Sequence, residues 1–393
     1  MLVLALACSA PSDADLTPIE ELSTLSSEHF NPERILVVDA GPVPPGLRGQ
    51  ELFELRHIGE TSVLELPSGI DPMEAIEELR AEGYAAEPDL LRSTQAADPY
   101  RNLQWNLDMI GVEEAWEEST GSGILVAVID TGVSASGEDT PNLISGWDFI
   151  QDDGWAQDPN GHGTHVAGTV AQATHNGVGT AGVAPDATIL AVRVLDRDGR
   201  GWTSDIIAGI DLAVTEGAQV INMSFGGGSR NWAERKALID AAAAGVVLVA
   251  AAGNNASNEI LFPAGFDEVI AVTAVDSRGS RAPYSNWHPQ AEISAPGGDM
   301  GADRTGDGYG DGILQETWSG SRWGYFFYQG TSMASPHVAG VAALVMATGR
   351  GPLATRAILR QSAEDRGKKG QDSIFGYGIV DAEAAVRMAV KTN

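Results

Sequence analysis

The 393 residues carry 54 acidic and 24 basic side chains for a net charge of −30, with 43 % hydrophobic content and one cysteine. That charge argues against nucleic acid or an anionic membrane surface as a partner, while the apolar content suffices for one large α/β domain and a smaller unit. A lone Cys8 allows no intrachain disulfide, so stability must come from packing or bound ions.

At the N-terminus, MLVLALACSAPSDADL places a short apolar stretch before Cys8. It is far too short to span a bilayer and lacks a positive flank. Ala7 before Cys8 and the Ser/Asp-rich stretch after it resemble a bacterial lipoprotein signal, although Ala5 stands where leucine is usual. An ordinary or truncated export signal is the alternative. Residues 1–33 are therefore expected to be an export or lipoprotein-like signal and polar tether, with lipid on Cys8 as the one route to a membrane. No later segment reaches the roughly 18 consecutive apolar residues of a membrane span.

Residues 34–97 read as a small α+β domain. ILVVDA and TSVLELP have strand composition, and DPMEAIEELRAEG begins a helix at Asp71-Pro72 with Met73, Ile76 and Leu79 on one face. The segment closes with GYAAEPDLL, and the small polar residues 93–97 suit a processing site.

From Asp98 the pattern changes. ILVAVID, TILAVRVLD, QVINMSF, GVVLVAAAG and EVIAVTAVD are nearly continuous apolar runs, as expected of strands buried on both faces of a parallel sheet. Helical stretches lie between them, among them GHGTHVAGTVAQA, TSDIIAGIDLAVTEG and RKALIDAAAAG. The fold class predicted is α/β, a doubly wound, mostly parallel sheet, with functional residues at the carboxyl ends of its strands. Asp130 ends a strand in ILVAVIDTGV, and His162 opens a helix in NGHGTHVAG. Ser332 opens another in GTSMASPHVAG, where Pro336 is expected within the first helical turn. Taken singly, Asp130 could merely open a turn and His162 could be a satisfied half-buried histidine. A serine needs both partners, however: an imidazole to take its proton and a carboxylate to orient that imidazole. Gly253-Asn254, after another strand, offers an amide for a developing oxyanion.

The order Asp, His, Ser with these flanking residues resembles the subtilisin-like serine proteases, thermitase-like members especially, from Asp98 to about Val390. The resemblance implies a serine endopeptidase with Asp130, His162 and Ser332 as triad and Asn254 in the oxyanion hole. Ser224, Phe225 and Gly226 would form one wall of the primary specificity pocket, Ala251, Ala252 and Gly253 the other, with Leu261 near its floor. Residues 34–97 would be a propeptide that inhibits the protease and assists its folding, making the chain a zymogen that processes itself. The protein would be extracellular or cell-surface and monomeric, with polypeptide substrates. A binding protein on the same scaffold that has lost turnover is the alternative.

Structural Ca²⁺ is suggested at three places. Asp98, Asp139 and Asn176 resemble one thermitase-like site. Asp148, Asp153 and Gln157 resemble a second, which departs at Gln151, where an acid is expected. In the long insert 299–328, Asp303, Thr305, Asp307, Tyr309 and Asp311 fall at alternating positions of an EF-hand-like loop, but Leu314 stands where its final glutamate belongs. Turn-forming Asp and Asn are the alternative at each place, and a solvated acidic surface would account for the charge without calcium.

Overall fold

Strands β1 (Phe30–Val38), β2 (Phe53–Ile58), β3 (Thr61–Glu65) and β4 (Ala85–Leu90) form an antiparallel sheet in the order β2-β3-β1-β4, with helix α1 (Pro72–Ala81) packed on it. The computed structural model describes residues 30–38, 44, 46–48, 50, 52–58, 61–90, 97–319 and 322–391; Cys8 and residues 93–96 of the expected processing segment lie outside these. The chain divides into two units, Met1–Thr94 and Gln95–Asn393.

In the first unit the α1 start follows its local chemistry. Asp71 accepts hydrogen bonds from the Met73 and Glu74 N–H groups at 2.9 and 3.2 Å, and Pro72 occupies the first turn. Ile76 and Leu79 are fully buried with Ile35 and Leu64, while Met73 is only partly covered. Strands β2 and β4 lack a legible sequence signal because they are the sheet's edges. In FELRHI the apolar Phe53 and Leu55 are exposed along with Glu54 and Arg56, and AAEPDL carries Pro88, which a strand tolerates only at an edge.

The second unit begins with two short helices, α2 (Trp105–Met109) and α3 (Val112–Trp116). Its seven-stranded parallel sheet has the order β11-β10-β9-β8-β5-β7-β6. The strands are β5 (Leu125–Asp130), β6 (Asn142–Asp148), β7 (Thr188–Arg193), β8 (Val220–Met223), β9 (Val247–Ala251), β10 (Ile270–Val275) and β11 (Ile293–Pro296). Central strands are buried along their length, as their apolar runs require, whereas the edge strand β6 is mostly exposed and has no such run. Helices α4 (His162–Ala171) and α7 (Thr331–Ala347) pack in one apolar layer, and α5 (Thr203–Thr215) and α6 (Trp232–Ala243) in the other. Helices α8 (Pro352–Ser362) and α9 (Ala382–Lys391) complete the first layer. Strand order reverses at β5, whose neighbours are β7 and β8, and the carboxyl ends there form the crevice where doubly wound sheets hold ligands.

Two features depart from the sequence reading. Half of the insert 299–328 is an antiparallel hairpin, β12 (Ile313–Ser319) and β13 (Arg322–Tyr328), with Leu314 buried as a strand residue. Pro336 lies inside α7, beyond the expected first turn. A proline there cannot donate to the carbonyl four residues back, that of Ser332, and the Ser224 hydroxyl donates to this carbonyl instead at 2.8 Å.

Candidate active site

Asp130 is fully buried at the end of β5. Its Oδ1 accepts from His162 Nδ1 at 2.8 Å and from the Thr131 N–H at 2.7 Å. The imidazole keeps 27 % of its surface exposed. Burial alone would lower its pKa, but the charge and hydrogen bond of Asp130, helped by the charge of Asp158, outweigh this and hold it above the ordinary histidine value.

The start of α4 is fixed by a residue absent from the sequence-based candidates. Asp158 Oδ1 accepts from Thr131 Oγ1, Asn160 N and Gly161 N at 2.8–2.9 Å, and its Oδ2 from Thr164 N and Oγ1 at 2.9 and 2.7 Å. One buried carboxylate therefore ties the residue after Asp130 to the residue before His162. The signal is present as Asp-Pro-Asn-Gly directly before a helix, a turn whose leading Asp has N–H groups to accept. Gly161, at φ 102°, has no room for a β-carbon, which would collide with the carbonyl of Trp318.

Ser332 lies in the first turn of α7, and its Oγ donates to the Ser224 carbonyl at 2.9 Å. A Ser332–His162 hydrogen bond is not made in this conformation. A buried chain from Ser335 Oγ to Asn222 Oδ1 (2.6 Å), and from Asn222 Nδ2 to Ser224 Oγ (2.9 Å), links α7 to β8 below it. Asn254 is oriented by its oxygen, which accepts from Thr331 N and Oγ1, both at 2.8 Å. Its NH₂ is thereby left for the space beside Gly330 and Ser332, where a β-carbon on Gly330 would sit 3.5 Å from Nδ2. Asn222, Ser335 and Thr331 do not stand out in the sequence, because a buried polar pair far apart in the chain leaves no local pattern.

Ser224, Phe225 and Gly226 follow β8, and Ala251, Ala252 and Gly253 end and follow β9, the adjacent strand. Leu261 bridges the two, its N–H donating to Ala252 O at 3.1 Å. β-carbons on Gly226 and Gly253 would each come within 2.8 Å of its side chain. Apolar atoms therefore fill the gap between the two walls.

The sequence from 121 to 378 matches the model of the Subtilase family, Peptidase S8. The chain belongs to the subtilase family. It is 36 % identical over 354 residues to a thermophilic serine proteinase of Bacillus sp. strain AK1, covering 89 % of this chain and 82 % of that one. It is 37 % identical over 292 residues to thermitase of Thermoactinomyces vulgaris, covering 74 % and 98 %. Among solved structures, a protease from Pseudoalteromonas arctica PAMC 21717 aligns with a TM-score of 0.69 at 36 % identity, covering 75 % of this chain and all of the other. This subtilase is a serine endopeptidase, and its substrates are polypeptides.

The three acidic regions differ in what surrounds their carboxylates. Among the described residues, no three His, Cys, Asp or Glu side chains gather to hold a metal ion. Asp98 accepts from the N–H groups of His175, Asn176 and Gly177 at 2.8–3.2 Å, and Asp139 from Thr180 N and Asn176 Nδ2 at 2.9 and 3.0 Å. Burial pushes Asp139 up to about 6, against the pull of those hydrogen bonds and with Glu316 adding to the rise. Among the described residues neither Asp98 nor Asp139 makes an ion pair, so the buried carboxylate charge of this region is not neutralised by a cationic side chain. The expected second site does not fit. Asp148 is buried against Arg193 at 2.6 Å and accepts from Ile150 and Gln151 N–H, Asp153 turns to Trp155 N, and no hydrogen bond joins the Gln157 side chain to either. In the insert, Asp303 accepts from Gly306 and Gly308 N–H, and Asp307 from Tyr309 N–H. Asp311 is buried and bonded by Ser277, Arg304 and Thr305, while Asp299 pairs with the Arg304 guanidinium at 2.8 Å. That loop is closed by its own arginine and does not fit a cation.

Proposed function

We propose that the chain is a zymogen whose mature domain hydrolyses peptide bonds through Asp130, His162 and Ser332. The observation that carries the reading is the 2.8 Å bond between buried Asp130 and His162 Nδ1, which leaves Nε2 as the proton acceptor. In the reaction, Ser332 Oγ leaves the Ser224 carbonyl, passes its proton to His162 Nε2 and attacks the scissile carbonyl. The Asn254 NH₂, aimed by Thr331, and the Ser332 N–H receive the oxyanion. His162 then gives the proton to the leaving amine.

The uncharged walls at Ser224–Gly226 and Ala251–Gly253, with Leu261 between them, suit apolar P1 side chains of moderate size. The antiparallel-sheet unit of residues 34–97 is the inhibitory propeptide, the protein acts outside the cell, and Ca²⁺ held by Asp98, Asp139 and Asn176 neutralises buried carboxylate charge. The test is cleavage of an unfolded protein substrate by the purified chain. Hydrolysis that disappears in Ser332→Ala is expected, and hydrolysis that survives this substitution would overturn the assignment.

A further inference from the structure

A pocket of about 380 Å³ lies beside the site, with Ser136, Asp158, Pro159, Arg197, Trp318 and Trp323 among its lining residues. Its two indoles come from the β12–β13 hairpin, so it is built by the long insert. It is continuous with the site through the backbone. Thr317 Oγ1 donates to the Gly161 carbonyl, the Trp318 carbonyl abuts Gly161, and Asp158 binds Gly161 N–H, all one residue from His162.

The walls are preorganised. Trp323 Nε1 donates to Glu316 Oε1 at 2.6 Å, and its ring edge packs so closely on Gly137 that a β-carbon there would come within 2.6 Å of it. A ring held in place loses little freedom when another stacks on it. Arg197 is exposed, and its guanidinium has no ion pair among the described residues, so it is available to lie over a bound aromatic face. The volume falls near the lower end of ligand pockets, roughly 300 Å³ upward, and suits one large side chain.

We propose that this pocket is a substrate subsite, separate from the primary specificity pocket at Ser224–Gly226, that takes an aromatic side chain of the bound polypeptide. The proposal rests on the peptide-hydrolysis reading above. The occupant argued for is substrate because two of the lining residues, Trp318 and Asp158, meet Gly161, the residue before His162, which puts the pocket within a side chain's reach of a peptide held for attack there.

The experiment compares internally quenched peptides that share one P1 residue and carry either Phe or Gly at each flanking position in turn, with kcat/KM measured for the wild type, Trp318→Ala, Trp323→Ala and Arg197→Ala. At one fixed position, Phe is expected to be favoured about tenfold over Gly by the wild type. Either tryptophan substitution should bring that ratio close to 1, and Arg197→Ala should lower it by a smaller factor. Fluorophosphonate labelling of Ser332 identifies folded, active variants; Trp→Phe at either position, which keeps an aromatic face, should retain most of the ratio. The proposal is overturned if the wild type favours no aromatic position outside P1, or if the preference persists unchanged in labelled Trp318→Ala and Trp323→Ala. Absence of both labelling and hydrolysis in the wild type would instead remove the hydrolase reading beneath it.

Discussion

The strand ends at Asp130 and the acidic loop at Asp303–Asp311 are both rich in carboxylates and glycines, yet they use them in opposite ways. At the end of β5, Asp130 accepts from His162 and Asp158 accepts from Thr131, partners 32 and 27 residues away, so that the strand end is tied to the start of α4. In the loop, Asp303 and Asp307 accept from N–H groups two to five residues away and shape only their own turn. The distant partners of Asp130 and Asp158 therefore fix the catalytic imidazole in place, whereas the bonds of Asp303 and Asp307 fix only a turn.

The sharpest way to break this contrast is at the nucleophile. Ser332→Ala should reduce turnover by about 10⁶, the scale of loss seen when subtilisin itself is stripped of its nucleophile, and leave the purified chain at full length. N-terminal sequencing of that variant, with no other protease present, checks it; a mature N-terminus near Ala96 would defeat self-processing.

Next in size is Asp130→Asn, for which the loss should be about 10⁴ in kcat, the magnitude known for this change in a Ser-His-Asp triad. It also carries a pH signature. His162 must be neutral to act as base, so activity rises with pH through its pKa, which Asp130 holds above the ordinary value. Removing that charge should move the acid limb of the kcat/KM profile to lower pH, and an unmoved limb would mean that Asp130 does not control the imidazole.

Asp158→Asn should cost on the order of 10²-fold in kcat/KM by loosening the His162 turn, whereas Asp307→Asn should cost less than about twofold. Equal losses in parallel assays would erase the distinction between long-range and local carboxylates. The smallest effect separates the Asp139 region from the insert loop. In the inactive Ser332→Ala protein, added Ca²⁺ should raise the melting temperature, and Asp139→Ala should remove more of that rise than Asp307→Ala. A response unaffected by Asp139→Ala would place the ion elsewhere.

Much of this is legible in the sequence. The buried strands β5, β7, β8, β9 and β10 announce themselves as β-branched runs, and Asp130, His162, Ser332 and Asn254 stand at strand or helix ends flanked by glycine. What stays hidden has no local period. Edge strands β2 and β6 leave apolar residues such as Phe53, Leu55, Ile144 and Trp147 exposed, β4 carries Pro88, and the Asp148–Arg193 pair joins residues from two strands. The β12–β13 hairpin follows a glycine-rich acidic stretch and shows no polar–apolar alternation matching its burial: β12 is buried from Ile313 through Thr317, Gln315 and Glu316 included, while the aromatic residues of β13 are only partly covered. Spacing can suggest cation ligands, but it cannot say that Arg193 and Arg304 already occupy two of the three places.

The central claim is that the geometry around Asp130 and His162 activates one serine. It is tested most directly by reacting the processed protein with a fluorophosphonate and mapping the adduct by peptide mass spectrometry. The adduct is expected on Ser332 alone, with a labelling rate that rises with pH through the His162 ionisation and collapses in His162→Ala. No adduct on Ser332, or one formed equally fast in His162→Ala, would contradict it.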